Sequence, residues 1–390
     1  MSSLERPRVA IVTRHWGEDS DEETFATRSV AGALARVADV EIIHLVAPPE
    51  EARIEADSVF RVHHVALRGA RALRASLLRA ALGAYDRTRV PAPVATVLER
   101  YEGRAPDVPD ILSAIAPDAL VLAGLHQPYD REVLGIAGRR SFRLCVLPFC
   151  ADPHRLAEPG VASLLDAADV VGALHPGELA ALRETGAPHA QPLDVGLALN
   201  RSATVDRLFG VRFFGRYVLV LRRFPLTAQR YARAVTHEVL RDVLGGRVSV
   251  AEIDGEHWRV ADRENTVNLP VNPSRVNLWR LMAHAEFTVD LRPPGVLGRE
   301  ALESMLLHTP VIAPEDSAAM AHVAAANGGL WYRDAGELLD AARVLMDRSL
   351  RAHLADQAAE YALAHHGEMD DFIARAARLV LGAPAAAPAA

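Results

Sequence analysis

The chain has 390 residues, half of them hydrophobic and 24% charged, a globular balance with material for two or three domains. Its 50 acidic residues outnumber 43 basic ones for a net charge of −7, which excludes the basic excess expected of a nucleic-acid-binding protein. No run reaches the roughly 18 apolar residues of a membrane-spanning helix, and two cysteines cannot build a disulfide framework, so an integral membrane protein, a collagen, a coiled coil and a secreted miniprotein are excluded as well.

All the basic residues are arginine, a coding bias of GC-rich genomes that carries no functional information. The first residues, MSSLERPRVAIVTRHWGEDSDEE, have no apolar run behind a basic start, so the expectation is a cytoplasmic protein without a secretory leader. Arg8 to Thr13 (RVAIVT) reads as a buried strand, and Thr24 to Arg36 as a helix with acidic residues at its start. Val40 to Val46, Ala119 to Ala123, Phe142 to Leu147 and Asp169 to Ala173 read as further strands separated by helical patterns. Cys145 and Cys150 read as two buried thiols of a strand region in a reducing compartment. The pattern then restarts with strands at Tyr217 to Leu221, Arg247 to Ile253, Thr266 to Leu269, Phe287 to Leu291 and Pro310 to Ala313. Helices at Asn277 to Ala285 and Arg299 to Leu307 lie between them, and a long helical region runs from Ala335 to Leu381. Alternation of this kind predicts two α/β halves, each a doubly wound parallel sheet covered by helices.

One insert stands apart. Leu67 to Arg89 reads as a helix with Arg68, Arg71, Arg74 and Arg79 on one broad face. It is either a solvated helix or a basic helix resting on an anionic membrane surface, which would make the protein peripherally membrane-associated.

The chain contains no GxGxxG, P-loop, HExxH, CxxC or G-x-S-x-G motif. The stretch that carries most information is LRPPGVLGREALESMLLHTPVIA, Leu291 to Ala313. There a strand ends, a loop with Gly295 and Gly298 follows, and a helix starts near Arg299, leaving backbone N–H groups for an anion. With Glu303, Met305 and Pro310-Val311 at matching spacing, this stretch resembles the signature of the retaining family 4 glycosyltransferases of GT-B fold. PDALVLAGLHQP resembles that family's strand ending in a cleft-facing histidine, here His126. ADVVGALHPGELAALRETG resembles the last unit of the first domain, and YVLVLRRF the first strand of the second. The resemblance covers most of residues 8–366.

It implies two Rossmann-like doubly wound domains facing a cleft. The domains would be an acceptor domain at 1–196, a nucleotide-sugar domain at 197–365, a helix at 366–382 returning to the N-terminal domain, and a disordered tail at 383–390. It implies a nucleotide-sugar donor, an unspecified acceptor, no metal and no other cofactor. His126 would be the catalytic-side residue, touching the sugar or the acceptor. Glu303 would hold the donor ribose, or be only a carboxylate favoured by a helix N-terminus. Arg223 would hold the diphosphate, or make a surface or interdomain ion pair. Arg222 and Arg299 would supply positive charge, and Gly295 and Gly298 would line the donor loop.

The chain also departs from the family. The first glutamate of the signature is Gly295, the lysine falls at Ala228, and the glycine before the arginine is Arg222. The Gly-Gly loop after the first strand becomes Gly17-Glu18-Asp19-Ser20-Asp21-Glu22-Glu23, whose five carboxylates would repel a nucleotide diphosphate. The alternative function is therefore a GT-B-shaped partner or scaffold of an active glycosyltransferase that no longer catalyses transfer.

Overall fold

The computed structural model describes residues 6–17, 22–46, 53–56, 59–67, 105, 107–125, 141–187, 189–197, 199, 216–222, 237–245, 248–254, 258–261, 266–269, 275–291 and 295–382. The chain divides into two units, residues 1–195 with 370–390, and residues 196–369.

In unit one the described elements run β1 (Arg8–Thr13), α1 (Glu22–Leu34), β2 (Asp39–Val46), β3 (Arg53–Ala56), β4 (Arg61–Ala66), α2 (Val108–Ile115), β5 (Ala119–Ala123), β6 (Arg143–Leu147), α3 (Pro153–Leu156), α4 (Pro159–Ala167), β7 (Val170–Ala173), α5 (Pro176–Glu184) and β8 (Ala190–Pro192). The eight strands form one sheet in the order β3-β4-β2-β1-β5-β6-β7-β8. Neighbouring strands are parallel except β3, which runs antiparallel to β4 at the edge. β5 is buried at every position, as a central strand covered on both faces must be. One face carries a continuous core of Val12, Leu45, Leu122, Val146 and Val171 packed with Leu112 of α2, Leu164 of α4 and Leu182 of α5.

In unit two the elements are β9 (Tyr217–Arg222), α6 (His237–Val243), β10 (Ser249–Asp254), β11 (Trp258–Ala261), β12 (Thr266–Leu269), α7 (Arg275–His284), β13 (Thr288–Asp290), α8 (Arg299–Leu306), β14 (Val311–Pro314), α9 (Ala318–Ala326), β15 (Gly329–Tyr332), α10 (Ala335–Val344) and α11 (Arg348–Ala362). The sheet order is β12-β11-β10-β9-β13-β14-β15. It is parallel apart from β11, which pairs antiparallel with both neighbours. β9 shows how both faces are filled. Tyr217, Leu219 and Leu221 pack with Leu278, Leu281 and Met282 of α7. Val218 and Val220 pack with Leu240 of α6, Leu338 of α10 and Leu354 of α11. Each buried Val or Leu stabilises the unit by about 1.5–3 kcal/mol.

The helical region that closes the chain is not continuous. A π-helical turn, Leu363–Gly367, separates α11 from the last helix, α12 (Met369–Leu381). α12 packs on the sheet of unit one. Arg375 donates to the carbonyls of Leu193 and Asp194 at 3.4 and 3.0 Å, and Arg143 donates to the carbonyl of Leu379 at 3.3 Å. Gly172 in β7 makes this approach feasible, because a Cβ there would lie 2.5 Å from Leu147 Cδ2 and 2.8 Å from Leu379 Cδ2. The tail at 383–390 and the insert beyond Leu67, to Arg89, lie outside the described residues. No described helix is long and apolar enough to cross a membrane.

Candidate functional site

In unit two the strand order reverses between β9 and β13, which makes their C-terminal ends the topological switch point. Open α/β sheets bind ligands in the crevice outside such ends. Leu221 pairs with Asp290, and the Leu291 N–H donates to the Leu221 carbonyl at 2.9 Å, so the two strands end level. Arg222 is the last residue of β9. Its side chain lies outside the described residues, as do Arg223 and Ala228 entirely.

The loop after β13 delivers Gly295, which is exposed, and Gly298, which is buried. Gly298 caps α8 in the left-handed region at φ 67°, ψ 38°. A Cβ at this position would lie 2.7 Å from the backbone nitrogen of Ala319. The loop is moulded on α9, which also carries the fully buried His322. His322 Nε2 lies 3.0 Å from the Leu297 carbonyl and Nδ1 lies 3.0 Å from the Tyr361 hydroxyl. A carbonyl only accepts, so Nε2 carries the proton and Nδ1 accepts from tyrosine.

Glu303, one turn into α8, is 1% exposed. Arg275 Nε donates to Glu303 Oε1 at 2.9 Å, and Arg275 Nη1 to Glu300 Oε1 at 2.9 Å. Arg275 Nη2 approaches Glu303 Oε2 at 2.5 Å as an ion contact outside hydrogen-bond geometry. Arg299 Nε adds a bond to Glu303 Oε1 at 3.1 Å. Burial raises the Glu303 carboxyl above its ordinary range, while Arg275 and Arg299 oppose the shift. Burial acts to lower the Arg275 guanidinium, but Glu303 and Glu300 outweigh it and hold it above its ordinary value. A carboxylate gripped by two permanently charged guanidiniums is ionised at neutral pH, because losing its charge would strand both cations. The sequence reading missed Arg275, since it stands 28 residues before Glu303 with no motif linking them.

Unit one has its own reversal, between β1 and β5, with Thr13 paired to Ala123 at their ends. His126 follows β5 but lies outside the described residues. Glu18, Asp19 and Asp21 of the acidic stretch are outside as well. The other two carboxylates are not in the loop: Glu22 and Glu23 form the first turn of α1, where the helix dipole favours them. Glu23 also pairs with His15 Nδ1 at 2.8 Å. Nearby on β2 and β4, His44 and His64 pair in register with their Nδ1 atoms 3.2 Å apart. Burial, followed by the neighbouring His64, lowers the pKa of His44 to about 4.

Glu178 is another buried carboxylate. Its two oxygens accept backbone N–H groups of Cys150 and Leu174 at 2.8 and 2.7 Å, bracing the ends of β6 and β7. Burial raises it to about 7. Cys145 is buried in β6, but Cys150 lies beyond the strand and is only half-buried. Among the described residues no group of three or more His, Cys, Asp or Glu could hold a metal.

No sequence-family model and no curated protein matches the chain. Solved structures do. Sucrose-phosphate synthase from Thermosynechococcus elongatus superposes with a TM-score of 0.61 at 14% identity, over 94% of this chain and 96% of that one. HepE from Anabaena, in complex with UDP and glucose, gives 0.54 at 13% identity, over 94% and 98%. WaaG, a glycosyltransferase involved in lipopolysaccharide biosynthesis, gives 0.55 at 14% identity, over 96% and 100%. These likenesses establish the architecture of the chain: two Rossmann-like α/β units of the GT-B fold.

Proposed function

We propose that the protein is a retaining glycosyltransferase that takes a nucleotide-sugar donor in unit two. The observation that carries this reading is that β9 ends at Arg222 level with β13, the strand that precedes the Gly295–Glu303 segment, at the switch point of the sheet, with Arg223 next in sequence. Two arginines, the N-terminal turn of α8 and a carboxylate suit a nucleoside diphosphate: the arginines and the helix N-terminus neutralise phosphate and the carboxylate accepts from ribose hydroxyls. Neutralising a leaving diphosphate is the main electrostatic demand of sugar transfer from such a donor, and holding the two substrates together supplies the rest. The resemblance assigns His126 to the sugar or acceptor side. UDP in the HepE structure supports a nucleotide donor for this fold. Arg68, Arg71, Arg74 and Arg79 would let residues 67–89 rest on an anionic membrane surface.

One observation favours a second reading, a non-catalytic GT-B partner. Gly295 has no side chain to hold a donor sugar, and Glu303 is already engaged by Arg275 and Arg299. The test is a thermal-shift titration with UDP, GDP, ADP and dTDP, followed by an assay for nucleoside diphosphate release from the matching sugar donor. A shift with turnover supports the transferase. A shift without turnover supports the partner. No shift from a folded sample overturns the donor-site reading.

A further inference from the structure

The network around Glu303 has a chemical peculiarity. It joins two guanidiniums, Arg275 and Arg299, to two carboxylates, Glu300 and Glu303, so each of these cations already faces an anion of the protein. Both oxygens of Glu303 face Arg275, at 2.9 and 2.5 Å, and its side chain is 1% exposed, so a ligand hydroxyl does not reach it while that arginine stays. Arg299 is tied to the same helix, four residues before Glu303. Arg275 comes from another element: it is the first residue of α7, and its side chain is 28% exposed against 12% for Arg299. Of the two cations, Arg275 is therefore the one that a ligand arriving from solvent can reach and draw away.

Resting on the donor-site reading above, we infer that Arg275 is a diphosphate-binding residue that works by partner exchange. In the free protein it covers Glu303. When a ribonucleoside diphosphate arrives, its guanidinium trades the Glu303 carboxylate for phosphate oxygens, which match its planar fork equally well. Glu303 is then released to accept from the ribose diol. A single move supplies the cation that Ala228 does not and uncovers the carboxylate that the ribose needs. It also makes the site selective. A nucleoside without phosphate meets a covered Glu303 and has nothing to offer Arg275 in return. A free diphosphate without ribose draws Arg275 off but leaves Glu303 buried with one partner fewer.

The exchange predicts opposite effects of one substitution on two ligands. Calorimetric titrations would compare wild type with Arg275→Met for UDP and uridine, GDP and guanosine, and ADP and adenosine. Arg275→Met should bind the nucleoside severalfold more tightly and the diphosphate about tenfold more weakly, the latter the usual scale for one lost charge-assisted pair. Arg275→Lys keeps the charge but not the fork, and covers the case in which the methionine variant does not fold. It should loosen the cover, tightening the nucleoside, while keeping part of the diphosphate affinity. If both ligands weaken together, or the nucleoside is unaffected, Arg275 is a structural ion-pair partner and the inference is overturned. If wild type and both variants, each folded, bind none of the six ligands, it is the donor-site reading that falls.

Discussion

His322, inside α9, donates its Nε2–H to the carbonyl of Leu297 at 3.0 Å. One side chain thus ties down the backbone immediately before Gly298 and the start of α8, and Tyr361 holds the other ring nitrogen. Replacing His322 with Leu keeps the bulk and removes both bonds. The expected cost is about 2–4 kcal/mol, from the buried Leu297 carbonyl and the half-buried Tyr361 hydroxyl deprived of this partner. Tyr361→Phe should cost about 1 kcal/mol, since it removes only the outer bond. Urea midpoints at constant m-value would measure both. Equal and negligible shifts would mean that the loop does not depend on α9.

The two glycines of the same loop should respond in opposite ways. Gly298→Ala places a Cβ 2.7 Å from the Ala319 nitrogen in a residue at φ 67°. Left-handed backbone alone costs an L-residue about 1–2 kcal/mol, and the backbone contact adds to that. Gly295 is exposed, so Gly295→Glu, which restores the carboxylate of the family signature, should change stability by no more than about 0.5 kcal/mol. Melting temperatures of the two variants measured side by side would show the contrast. A Gly298→Ala variant as stable as Gly295→Glu would overturn the packing argument.

The strands of both sheets were legible because they are short apolar runs bounded by polar residues, and β1, β5 and β12 have the bounds that the pattern predicts. β3 and β11 were not: both are four-residue strands that run antiparallel to their neighbours, outside the parallel β–α alternation that the pattern follows. The start of α1 was placed late because Glu22 and Glu23 read as loop, although a helix N-terminus accepts them readily. The Gly295–Glu303 segment was found through spacing along one stretch. Arg275, His322 and the His44–His64 pair come from elements distant in sequence, and only the folded sheet and its covering helices bring them into contact.

The two cysteines should separate cleanly in a thiol assay. Complete burial pushes the Cys145 thiol up to about 12, and burial also raises the half-buried Cys150. Thiolate is the reactive form, so neither reacts rapidly at neutral pH, but only Cys150 is within reach of a reagent. Titration with a chromogenic disulfide should count one slow thiol in the native protein and two in urea. Two thiols reacting natively at equal rates would show that β6 opens far more readily than its burial implies.

Stability should depend on pH through groups that pull in opposite directions. Burial holds Glu178 at about 7 in the folded protein, above its ordinary value of 4.5. The folded state therefore binds this proton more tightly than the unfolded chain does. Its contribution is fully present below about pH 4.5 and is lost as pH rises through about 7, a change of roughly 3 kcal/mol. His44 and His175 behave oppositely. Burial lowers each to about 4 from 6.5, so the stability they contribute is present above about 6.5 and lost as pH falls toward about 4. Between those limits the losses from two histidines outweigh the gain from one glutamate, and the wild type should weaken on acidification. Glu178→Gln removes the opposing term, so its urea midpoint should fall more steeply with acid than that of wild type, although the variant is less stable throughout because its amide N–H₂ cannot accept one of the two backbone N–H groups. A variant whose midpoint runs parallel to wild type from pH 4.5 to 7 would show that Glu178 keeps an ordinary carboxylate pKa in its backbone nest, stabilised by those N–H donors more than burial disfavours it.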